Sequence, residues 1–82
     1  MGEIVHEAVF EGSQNGVRSY AVTMSSGTAT LQKLAGNNPD TDTWVDVTDG
    51  THSVNAEATM HCPYGIKFRF RLTGDAAGWI SA

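Results

Sequence analysis

The stretch Ile66-Lys67-Phe68-Arg69-Phe70-Arg71-Leu72 decides the fold class. Apolar and cationic residues alternate through it without a break. In an extended chain Ile66, Phe68, Phe70 and Leu72 therefore face one way and Lys67, Arg69 and Arg71 the other. Wound as a helix, the same residues would carry cations through the apolar stripe. The reading is a β-strand with one face on a core and the other in water. Pro63-Tyr64-Gly65 turns into it, and Thr73-Gly74-Asp75-Ala76-Ala77-Gly78 links it to a last short strand over residues 79–81.

Outward from this strand the pattern repeats in weaker form. Residues 4–11 read as a first strand, closed by a turn whose Asn15-Gly16 is a hairpin signal. Residues 17–24 follow, then the turn Ser25-Ser26-Gly27, a third strand over 28–34 and a polar loop over 35–42. A fourth strand covers 43–48, Asp49-Gly50-Thr51 reads as another turn, and residues 53–61 read as strand. Turn residues at this spacing predict an all-β fold: an antiparallel β-sandwich, jelly-roll or Ig-like, of about seven to eight short strands. The expected core is Val22, Leu31, Val45, Val47, Ile66, Phe68, Phe70 and Leu72.

At 82 residues the chain is read as a single domain, 1–82. A domain this small buries only about 60% of the surface its unfolded chain exposes, and the lone Cys62 cannot form an intrachain disulfide. Burial against a partner is the expected supplement, so a homo-oligomer is predicted. Residues 4–11, with Ile4, Ala8 and Phe10 on one side and Val5 and Val9 on the other, read as a strand covered on both faces, with Trp79 and Ile80 joining the same interface. The net charge of −4 disfavours attraction to nucleic acid or to an anionic membrane surface. No apolar run reaches the length of a membrane span, and Met1-Gly2-Glu3-Ile4-Val5-His6 lacks the Ser or Thr of a myristoylation signal.

Catalytic chemistry is not expected. His61 and Cys62 are adjacent, so on a strand they point to opposite faces and cannot pair as base and nucleophile. His6, His52 and His61 show no local metal spacing, and no second cysteine completes a zinc site. Asp40, Asp42, Asp46 and Asp49 cluster around one loop, but Trp44 and Val45 fall where a calcium loop needs oxygen ligands. No cofactor or metal is predicted. The stripe Lys67, Arg69, Arg71 reads as a solvated outer face, with Glu3, Glu7, Glu11 and Glu57 available to pair with it. Recognition is left to Trp44, Trp79, Ile80 and Phe10, as interface residues or as stacking surfaces for a ligand. Exposed tryptophans on a sandwich also suit sugar stacking, which makes a small carbohydrate-binding module the alternative.

Two segments resemble a known group. Thr30-Leu31-Gln32-Lys33-Leu34, a polar turn and Thr43-Trp44-Val45-Asp46-Val47-Thr48-Asp49-Gly50 form one; the close from Pro63 through Thr73-Gly74 forms the other. Together they are similar to the hairpin and closing strand of small β-sandwich virion accessory proteins of tailed bacteriophages. The resemblance covers about the last two thirds of the chain. It implies a head decoration, tail or fibre accessory that binds a capsid or tail protein of the virion, made in the host bacterial cytoplasm and working as an oligomer such as a trimer. It carries no catalytic residue over to this chain.

Overall fold

The computed structural model describes residues 2–81. Eight strands form, with no helix among the described residues: β1 (Gly2–Glu3), β2 (Phe10–Glu11), β3 (Val17–Thr23), β4 (Thr28–Ala35), β5 (Thr43–His52), β6 (Ala56–His61), β7 (Lys67–Thr73) and β8 (Ala77–Ile80). They make two four-stranded sheets, β1-β8-β3-β6 (sheet I) and β2-β7-β4-β5 (sheet II), and every strand pairing is antiparallel. The fold is a β-sandwich, as the alternation predicts. The pairs β1·β8, β2·β7, β3·β6 and β4·β5 nest inside one another, so the chain is one long hairpin folded over on itself. That nesting is jelly-roll connectivity.

The core lies between the sheets. Tyr20, Val22, Met60 and Ile80 come down from sheet I, and Ala29, Leu31, Phe68 and Phe70 come up from sheet II, with Ile4 and Cys62 closing the ends. On β3, β4 and β7 the core residues are every second one, the period-two rule made physical. Tyr20 meets Phe70 edge-on at 5.0 Å between ring centroids, and its hydroxyl hydrogen-bonds His52 Nε2 across the sandwich at 2.7 Å. Burial raises the Tyr20 phenol above its ordinary pKa. Ile66, Leu72 and Val47 are half-buried against this core.

Three expectations need correction. Residues 4–11 are not one strand covered on both faces. Only Phe10–Glu11 is strand (β2, in sheet II); β1, in sheet I, ends at Glu3, and residues 4–9 cross from one sheet to the other, burying Ile4 and leaving Val5 58% exposed. Apolar residues on both sides of this segment reflect a change of sheet. Asp49-Gly50-Thr51 is not a turn either. β5 runs through it, and between the pairs Gln32↔Asp46 and Thr30↔Thr51 it carries four residues against the single Leu31 of β4. This bulge places Asp49 at a φ of 60°, and a Cβ on Gly50 would lie 3.1 Å from that of Leu31. Third, Val45 is 51% exposed instead of buried. It pairs with exposed Lys33 near the loop end of the β4–β5 hairpin, beyond the cover of sheet I.

Candidate functional site

The four residues singled out for recognition end up in three different places. Ile80 is 5% exposed and belongs to the protein's own core, so it is not available as a free contact residue. Phe10 is half-buried, stacked on Phe68 and Phe70 at 6.0 and 6.1 Å. With Ile4, Val5, Ala8 and Val9 it lines an apolar cavity of about 70 Å³ beneath the crossover. Only Trp44 and Trp79 reach the outer surface, one on each sheet.

Trp44 stands on the outer face of sheet II and is held from several sides. The Arg69 guanidinium lies 4.5 Å from its ring centroid, and its indole N–H donates to the Pro39 carbonyl at 3.3 Å. Arg69 Nε in turn donates to Gln32 Oε1 at 2.7 Å, and Gln32 Nε2 donates to Asp46 Oδ1 at 2.9 Å. Gln32 is the buried polar side chain of this face, and both ends of its amide are satisfied. Leu34, directly opposite Trp44, is buried although it lies outside the main core cluster. The cationic stripe is closed off by acids: Glu7 Oε2 lies 3.3 Å from Arg71 Nε and 3.9 Å from Arg69, and Glu11 lies 3.8 Å from Lys67. Glu7 and Glu11 are two of the four partners expected for that stripe; Glu3 and Glu57 lie on sheet I.

Glu7 is set by the backbone as well as by its partners. Its φ is 58°, its N–H donates to the Phe70 carbonyl at 2.8 Å, and neighbouring His6 Nδ1 accepts the Leu72 N–H at 2.9 Å. The crossover is thereby docked along β7. Sequence reasoning missed the Arg69–Trp44 stack because Arg69 reaches past β4 to a residue on a strand it does not pair with.

Trp79 is the opposite case. It lies on the outer face of sheet I with 65% of its surface exposed. The strand registers place it in a row that crosses the whole sheet, Glu3 on β1, Trp79 on β8, Ala21 on β3 and Glu57 on β6. Ser19, Ala21, Glu57 and Ser81 line a shallow groove beside the ring. Small side chains leave the indole standing proud of a flat floor, with a carboxylate at either end of the row.

The acidic loop is used internally. Asp42 Oδ2 accepts the N–H groups of Asn37 and Asn38 at 2.8 and 2.9 Å, which lowers its pKa. Asp46 is engaged by Gln32. At the opposite end of the sandwich Asp75 accepts the backbone N–H groups of Ser25 and Ser26 and the Ser25 hydroxyl, which hold its carboxyl down to about 2. Cys62 is wholly buried while His61 is exposed, so the two do face apart. No group of three metal-ligating side chains comes together among the described residues. No protein-family model matches the chain, and neither a curated protein nor a solved structure is significantly similar to it.

Proposed function

We propose that this chain is a structural binding module that docks on a larger protein assembly, and that the assembly is the virion of a tailed bacteriophage, whose capsid or tail surface it coats as an oligomer. The observation that carries the binding role is Trp79. A folded chain leaves a large indole 65% in water on a flat strand face only at a continuing hydrophobic cost, about 25 cal/mol for each Å² of apolar surface. Burial against a partner removes that cost, and tryptophan is enriched where binding energy concentrates. Glu3 and Glu57 at the ends of the row suit a partner pocket with an apolar floor and a basic rim. The phage assignment rests on the two sequence motifs and on the compact jelly-roll form.

The test is composition of the particle. Virions induced from a host carrying the gene, purified by density gradient, should contain this chain in many copies, and Trp79→Ala should lower that number without changing the circular dichroism of the free protein. Particles free of the chain would overturn the phage assignment. A second reading is supported by the same row: an indole flanked by carboxylates and the Ser19 hydroxyl can stack on a sugar ring and accept from its hydroxyls. Glycan-array binding that Trp79→Ala abolishes would favour that reading.

A further inference from the structure

A sandwich has four sheet edges, and three of these are blunted. β1 and β2 are two residues long, and β5 is broken by its bulge. β6 is different. It runs straight from Ala56 to His61 in unbroken register with β3, and it contains no Pro, Lys, Gly or bulge.

The hydrogen bonds show which of its backbone groups are free. Opposed residues in an antiparallel pair alternate between those that exchange hydrogen bonds and those that do not. The Cys62 N–H donates to the Gly16 carbonyl at 2.8 Å, one step beyond the pair Val17↔His61. Met60, Ala58 and Ala56 therefore turn their N–H and C=O groups toward β3 as Cys62 does, while Glu57, Thr59 and His61 turn theirs outward. The Ser19 carbonyl agrees, because it serves β8 by accepting from Ser81 at 2.8 Å, so the odd residues of β3 do not serve β6.

We propose that β6 pairs with β6 of a second copy of this chain, antiparallel, about a two-fold axis at Thr59. Among the registers that match outward groups to outward groups, this one engages all three free residues: Thr59 opposite Thr59 and Glu57 opposite His61, twice. It forms six main-chain hydrogen bonds. It also sets an acid opposite an imidazole on the outer face and Ala58 opposite Met60 on the inner face, a complementarity that neither neighbouring register provides. A cleft of about 300 Å³, lined in part by Tyr20, Leu31, Val47, Ala58 and Met60, opens between β6 and β5 on the side from which the second copy arrives, so apolar surface is available to add to the backbone bonds. The contact is isologous and closes at two chains. It joins the two copies of sheet I into one eight-stranded face bearing two Trp79 side chains, a bivalent form of the docking surface. The pairing does not depend on what Trp79 binds, and it replaces the trimer implied by the resemblance with a two-fold unit.

Light scattering coupled to size exclusion should give twice the 8.7 kDa chain mass at micromolar concentration. Thr59→Pro, which removes an outward N–H without touching the β3 ladder, should return the protein to a monomer with unchanged circular dichroism. Glu57→Lys, on an exposed face, should weaken association at least tenfold, and adding His61→Glu to it should restore association. Thr59→Cys should be joined to a dimer by a short bismaleimide, since hydrogen-bonded Cα atoms lie about 5.5 Å apart, whereas the wild type, with Cys62 buried, should not. A wild-type monomer at every concentration, a trimer, or a dimer indifferent to all of these changes would overturn the pairing. None of these outcomes bears on whether the chain is present in virions.

Discussion

Trp44 and Trp79 are the same residue type on the outer faces of the same sandwich, and the fold treats them in opposite ways. Trp44 is packed against a guanidinium, hydrogen-bonded through its indole N–H and placed opposite a buried leucine. Trp79 has alanine and serine beside it and water over most of its surface. The neighbours make the difference. Sheet II surrounds its tryptophan with long polar side chains that satisfy one another, and sheet I sets its own between Glu3 and the small Ala21, with Ser19 and Ser81 beside the groove, and leaves the ring uncovered. An aromatic residue that its own fold has enclosed is structural, and one that its own fold leaves bare is the better candidate for recognition.

That contrast can be broken or sharpened in order of effect. The scale is set by the core beneath both faces: Phe68→Ala, at a side chain 2% exposed, should cost about 3–5 kcal/mol in urea denaturation. Trp44→Ala, at a half-buried site, should cost about 2 kcal/mol, less than full burial of an aromatic is worth. If it costs no more than Trp79→Ala, the distinction between the two tryptophans fails. A double-mutant cycle between Arg69→Ala and Trp44→Leu, which removes the aromatic face, should show coupling of about 0.5–1 kcal/mol from the cation–π contact. Trp79→Ala should change stability by no more than about 0.5 kcal/mol. In single-tryptophan variants Trp79 should emit as an indole in water and be readily quenched by iodide, and Trp44 should be protected from both.

The smallest effect lies away from both tryptophans, in the loops between β3 and β4 and between β7 and β8. Asp75 is held down to about 2 from the ordinary 3.8, first by the Ser25 hydroxyl and then by the N–H groups of Ser26 and Ser25. A carboxyl lowered in the folded state stabilises above its unfolded pKa and loses that contribution as pH falls through its folded pKa. The urea midpoints of wild type and Asp75→Ala should therefore differ at pH 6 and converge as pH drops from about 4 to about 2. A gap that stays constant over that window would mean that the loop contact does not titrate.

Local alternation was enough to place β7, β3 and β4 within a residue or two and to put Val22, Leu31, Phe68 and Phe70 in the core, because inward and outward positions on a regular strand follow from period two alone. Turn chemistry likewise gave most of the boundaries, and charge gave Glu7 and Glu11 as partners of the cationic stripe. Where the chain departs from regular extension, sequence could not say how. Asp49-Gly50 carries the same turn signal whether the strand ends there or bulges, and the choice depends on β4 lying alongside with Leu31 against Gly50. Ile4 to Glu11 reads as doubly covered until the chain is seen to leave one sheet for the other. The fates of Trp44 and Trp79 were equally out of reach, since each was decided by residues far away in sequence, Arg69 in one case and Ala21 in the other. Period and turn propensity are properties of a few neighbouring residues, whereas enclosure is a property of whatever the fold brings alongside.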